Sequence, residues 1–203
     1  MILKSRSFFD EAPTIVMHDA LGQFLGATED GLIEYQYADA VALAGHSCPT
    51  VAAAWLMTRS ALSHLYPDSV PERGEVAVAW RDPRTSGVTG VMASVAQLVT
   101  GAADESGFKG IAGNFQRSEL MSFEAPIRGD VRFTRKDNGV SVEVSANVGK
   151  VPMDPKMREL LILCLTGDAT PEDARAFGSA WQVRVSKLLL EHADDPEVIV
   201  VHP

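Results

Sequence analysis

His46 and Cys48 stand two apart within Gly45-His46-Ser47-Cys48-Pro49-Thr50. Imidazole nitrogen and sulfur are the ligands that zinc and related transition metals take most often from proteins. In an extended segment, residues two apart lie on one side of the chain, so this spacing brings both groups to one place. Pro49 has the fixed φ of a first helical residue, which predicts a helix from 49 with Cys48 at its N-cap. A sulfur there faces the positive end of the helix dipole, which favours its anionic form. Gly45 allows a tight turn just ahead of the pair. These residues point either to a metal-ligating pair, His46 and Cys48, or to a Cys48 nucleophile with His46 as its base. His18, followed by Asp19, is the one other histidine upstream and the candidate third metal ligand.

The elements that would carry this pair follow from periodicity. Val51, Ala54, Trp55, Leu62 and Leu65 recur at the helical period, which predicts a well-buried helix over 49–65. His64 lies roughly 24 Å along that helix from Cys48, too far to share its site. Upstream, 12–17 reads as extended, 21–26 as a helical turn ended by glycine, and 35–44 as a lead-in helix. Downstream, 75–80 alternates as a strand and runs into Arg81-Asp82-Pro83-Arg84, a charged strand end where Asp82 is a candidate ligand-binding residue. Ser86 is placed to cap a helix striped by Val88, Val91, Met92, Val95, Leu98 and Val99 and closed by Gly101. Phe108-Lys109-Gly110-Ile111-Ala112-Gly113-Asn114 could offer backbone N–H groups to an anion, with Lys109 or Arg117 adding charge.

Strands are expected over 118–124, 130–135 and 140–145, the last two joined by a hairpin at Lys136-Asp137-Asn138-Gly139. A helix over 154–165 carries Cys164, read as packing among Leu161, Ile162 and Leu165. Thr170-Pro171-Glu172-Asp173 is a capping-box helix start, and that helix should run to about 191 with Phe177, Trp181, Val185, Leu188 and Leu189 inward. Residues 197–201 read as a final strand. The expected fold is α+β: helices packed on a largely antiparallel sheet in one domain spanning 1–203, with a core of about 12–150 and a helical C-terminal extension over 154–203.

The 203 residues, 46% apolar, suffice for one ordinary core. A net charge of −9 and a pI near 5.0 exclude a nucleic-acid-binding surface, which needs clustered Lys and Arg. No apolar run reaches membrane-spanning length, and Lys4 and Arg6 precede no apolar stretch of a signal peptide. Two cysteines, Cys48 and Cys164, exclude a four-cysteine zinc site within one chain and suit a reducing cytoplasm.

Gly45-His46-Ser47-Cys48-Pro49, followed by an Ala-rich helix, resembles the Gly-His-x-Cys-Pro signature of the FmdE family, which takes its name from a component of formylmethanofuran dehydrogenase. The likeness continues more loosely to about residue 150, and Phe108–Asn114 is similar to that family's glycine-rich, lysine-bearing segment. The resemblance implies the same α+β fold and a homodimer, with His46 and Cys48 as functional residues. Family members commonly carry a cysteine before the second core helix and another after a Thr-Gly at its end. The corresponding positions here are around Asp82-Pro83-Arg84 and Thr100-Gly101-Ala102. A thiol-rich site is therefore not expected, although Asp82 could offer oxygen in place of sulfur. The cysteine-rich zinc finger of some relatives is also missing. The expected function is metal binding, with zinc first and nickel or iron as alternatives, in a protein of one-carbon or cofactor metabolism acting on a small molecule. Two other readings stay open: an accessory component or metal carrier of a larger oxidoreductase, and acyl transfer by Cys48. Asp19, Glu29 and Asp82 are the carboxylates available as a general base.

Overall fold

The computed structural model describes residues 8–202, so Lys4 and Arg6, on which the signal-peptide reading rests, lie outside the described residues. In chain order the elements are α1 (Phe8–Glu11), β1 (Ile15–His18), α2 (Ala20–Phe24), β2 (Leu32–Tyr35), α3 (Tyr37–Ala44), α4 (Pro49–Leu65), β3 (Val76–Trp80), α5 (Thr89–Thr100), β4 (Met121–Ser122), β5 (Val131–Arg135), β6 (Ser141–Ala146), α6 (Pro155–Thr166), α7 (Pro171–Leu190) and β7 (Ile199–His202). The fold is α+β. A five-stranded sheet has the order β4-β3-β5-β6-β7, antiparallel throughout except for the β3–β4 pair, and β1 and β2 form a separate antiparallel hairpin. Among the described residues, no helix is long and apolar enough to cross a membrane.

The organising element is α4. Pro49 stands in its first turn, and Cys48, with φ −150° and ψ 166°, is its N-cap. The helix packs against α3, α5, α7 and strands β5, β6 and β7, so it is buried nearly all round, Val51, Trp55 and Leu56 completely. Each such large side chain contributes about 1.5–3 kcal/mol by leaving water. Trp55 also satisfies its indole N–H on the Pro13 carbonyl at 2.9 Å. On the sheet, Val76, Val78 and Trp80 of β3 alternate inward with Val131 and Phe133 of β5 and Val142 and Val144 of β6.

Several expectations change. Ser86 does not cap α5: Val88 is the N-cap residue, with no side-chain bond, and Ser86 only lends its carbonyl to Thr89 N–H. The face of α5 is also rotated from the reading by apolar stripe. Val88 and Val91 are exposed, while Ala93, Val95, Ala96 and Val99 are buried, because the small residues let α5 approach α4 closely. The strand expected over 118–124 shrinks to Met121–Ser122, since Glu119 and Glu124 have φ of 61° and 60°, outside any strand geometry. Strand β2 is an addition to the expected elements. Cys164 is not in the core: α6 buries only Met157, and its Ile162 and Leu165 face outward, leaving Cys164 half-buried. Both cysteines are free thiols.

Candidate metal-ligand motif and the buried ion cluster

The loop between α3 and α4 is fixed from both sides. Gly45 ends α3 with φ 76°, a left-handed cap whose N–H bonds to the Val41 carbonyl. Ser47 turns inward, its hydroxyl 3.1 Å from the Tyr37 hydroxyl. Its carbonyl accepts two bonds from α7, from Trp181 Nε1–H at 3.1 Å and from Gln182 Nε2–H at 3.0 Å. Burial raises the pKa of Tyr37 well above the ordinary phenol value, so Tyr37 remains a neutral hydroxyl in this network.

His46 and Cys48 flank this anchored residue. Cys48 is buried, 8% exposed, and its sulfur accepts the Val51 N–H at 3.5 Å as the cap of α4. His46 is exposed, and its Nδ1 lies 3.0 Å from the Ala44 carbonyl. A carbonyl only accepts, so Nδ1 carries the proton and the lone pair of the neutral ring sits on Nε2. Trp181 and Gln182 were not identified from sequence as parts of this loop. A buried indole N–H that needs an acceptor is the one signal that could have drawn attention to Trp181.

His18 is held elsewhere. Its Nδ1 donates to Glu72 Oε2 at 2.6 Å, and its Nε2 packs over Gly31, where an added Cβ would come within 2.4 Å. Among the described residues, no three His, Cys, Asp or Glu side chains are grouped to hold a metal ion, so His18 does not join His46 and Cys48 in such a cluster. The hydrogen bond to Glu72, opposed in part by desolvation, raises the His18 pKa. A raised folded-state value gives stability that is fully present below the ordinary histidine value and lost as pH rises through the raised one. Glu72→Gln is therefore expected to cost more stability near pH 5.5 than near pH 8.5, by about 0.5 kcal/mol for so exposed a pair. Urea unfolding at the two pH values checks it, and an equal loss at both would remove the charged pair from the account.

Beside this pair lies a cluster the sequence did not announce. Asp19 caps α2 by accepting Leu21 N–H and Gly22 N–H at 3.0 and 3.1 Å. Its carboxylate also accepts from Arg73 Nη1 at 2.9 Å and Arg117 Nη2 at 2.7 Å. Arg73 goes on to donate to the Val99 and Leu98 carbonyls at the end of α5. Gly74, with φ 86°, lies against Arg117, where a Cβ would fall 1.7 Å from Nη1. Burial opposes ionisation of Asp19, but the Gly22 amide and the two guanidinium groups outweigh it and hold the carboxyl below its ordinary range.

The candidate anion-binding residues separate accordingly. Arg117, 7% exposed, is turned inward onto Asp19, whereas Lys109 sits on an exposed loop and donates to the Glu105 carbonyl. Asp82 is exposed at the end of β3, at the mouth of a cavity of about 220 Å³ between the first turns of α4 and α5. No protein-family model matches this chain, and no curated protein matches it.

Proposed function

We propose that this is a cytoplasmic metal-binding protein in which His46 and Cys48 supply two ligands of a transition-metal site, with zinc the best match to an imidazole–thiolate pair. The observation that carries the reading is the His46 bond to the Ala44 carbonyl, which leaves Nε2 as an exposed lone pair. Metal-ligating histidines are oriented in this way by a backbone or carboxylate acceptor. Cys48, two residues on, is fixed as the cap of α4 and is the second ligand in this reading. The motif's resemblance to the FmdE family points the same way. With two ligands from one chain, further positions fall to solvent, a small-molecule substrate or a second copy. A second copy is favoured by the outer face of α6, where Ile162 and Leu165 are 53% and 78% exposed. A metal with an open position supplies a Lewis acid for a carbonyl or a bound water.

The test is elemental analysis of untagged protein, wild type beside His46→Ala/Cys48→Ala, with light scattering on the same samples. The expected result is near-stoichiometric metal in a wild-type dimer and loss of it in the double variant. Cys48→Ser should lose far more metal than Cys164→Ser. Metal retained in the double variant, or lost equally in both serine variants, overturns the ligand assignment. A wild-type monomer overturns the second copy.

A further inference from the structure

Phe24 and Leu25, at the end of α2, are each 63% exposed. Phe24 rests on Phe115, with ring centroids 5.2 Å apart. Phe115 belongs to a tight loop over 108–116, closed by Ile111 and Asn114, each of whose N–H groups donates to the other's carbonyl at 2.9 Å. Phe108 and Ile111 of that loop are 45% and 39% exposed. Single exposed apolar side chains are ordinary, but a group gathered from two distant segments around one aromatic contact marks an interaction surface. The loop is also held in a costly conformation: Ala112 and Phe115 have φ of 49° and 62°, the left-handed region that non-glycine residues rarely adopt. Strain of this kind clusters where binding fixes the shape of a segment.

The surrounding charge selects the partner. Over 20–30 and 104–119 the exposed charged side chains are Glu29, Asp30, Glu105 and Glu119 against Lys109 alone. No ion pair engages any of the four acids among the described residues. Lys109 is turned back onto the Glu105 carbonyl. An acidic border on a chain of net charge −9 repels an anionic membrane, and two copies meeting through this face would bring like charges together. We propose that α2 and the 108–116 loop form a docking knob for a partner protein that presents a basic amphipathic segment. Its apolar side chains cover Phe24, Leu25, Phe108 and Ile111, and its lysines or arginines meet the acids around them. The knob uses neither His46 nor Cys48, so it stands apart from the metal reading.

The probe is a fluorescein-labelled peptide of leucine and lysine, with the leucines at helical spacing on one face, titrated against the full chain by anisotropy. A peptide with glutamate at every lysine position is the control of reversed charge. The expected result is saturable binding of the lysine peptide only. It should weaken about tenfold or more in Phe24→Ser/Leu25→Ser and in Phe108→Ser, and about threefold in Glu29→Gln/Asp30→Asn. The substituted positions are exposed, and circular dichroism checks that each variant is folded. No saturable binding overturns the proposal, as does binding that survives both apolar substitutions, or equal binding of the two peptides. Ile162→Ser/Leu165→Ser should leave affinity unchanged, and an equal loss there would show general stickiness instead of a knob. Light scattering and sedimentation with phosphatidylglycerol vesicles cover the other occupants: self-association or vesicle binding that Phe24→Ser/Leu25→Ser abolishes also overturns the proposal. Affinity unchanged in His46→Ala/Cys48→Ala keeps failure of this surface distinct from failure of the metal reading.

Discussion

Asp19→Ala is expected to lower the free energy of unfolding by about 3–5 kcal/mol, the range for breaking a buried ion pair from one side. The side chains of Asp19 and Arg117 are 6% and 8% exposed. Without the carboxylate, Arg117 keeps its charge with no other hydrogen-bond acceptor for Nη2 among the described residues, while its Nε is already buried without a partner there. Arg73 suffers less, because the Val99 and Leu98 carbonyls still receive it. The α2 cap is lost as well, at about 1 kcal/mol. Arg117→Met should cost less than Asp19→Ala, since Asp19 retains Arg73 and two backbone donors. The double variant should recover part of the single loss, because an apolar pair avoids stranding a charge. Urea denaturation of the four proteins measures the cycle, and a loss below about 1 kcal/mol for Asp19→Ala would show the cluster to be solvated. The sign with pH is also set. A lowered carboxyl pKa gives stability present above the ordinary aspartate value and lost as pH falls through the lowered one, so the wild type should lose its advantage over Asp19→Ala in acid.

The second large effect concerns the anchored loop. Trp181→Phe/Gln182→Leu removes both donors to the Ser47 carbonyl while leaving Val185, Leu188 and Leu189 to hold α7 in the core. On the proposed function, the carbonyl is a support that orients the residues on either side of it. Loss of such support typically weakens metal affinity about 10–100-fold. Leucine at 182 gives up no bond on the oxygen side, since Gln182 Oε1 is itself buried without a partner. A chelator competition on the wild type and the double variant reads the change, with the helical circular dichroism signal held as the control. Unchanged affinity in a folded variant would mean that the loop needs no help from α7.

How far the fold was legible depended on whether the information was local. The bounds of α4 follow from Pro49 and an apolar period, and the start of α7 from Thr170 bonding Asp173 N–H while Asp173 reaches back to Thr170 N–H. Both are decided within one turn of chain. The Asp19–Arg117 pair joins residues 98 apart, and no composition or spacing marks it. The same holds for the Ser47 anchor, 134 and 135 residues from its donors. The apolar run of α6 gave the helix correctly but not its surroundings, because periodicity shows which residues share a face and not whether anything covers that face. Around the His46–Cys48 loop, residue types, spacing and the helix start at Pro49 were readable from the sequence. The tautomer of His46 and the inward turn of Ser47 are properties of packing.

Strands β6 and β7 are neighbours in the sheet, with Ala146 opposite Ile199, yet α6 and α7 lie between them in sequence. The helical hairpin therefore leaves the sheet and returns to it at points about 5 Å apart. A segment with adjoining ends is a module that can be lengthened at its outer turn without shifting the register of the strands it interrupts, while α7 itself stays in place through the buried Val185, Leu188 and Leu189. In this protein the module also carries the two residues that hold the His46–Cys48 loop. Variation in the outer part of the hairpin can thus shift that loop without rebuilding the sheet.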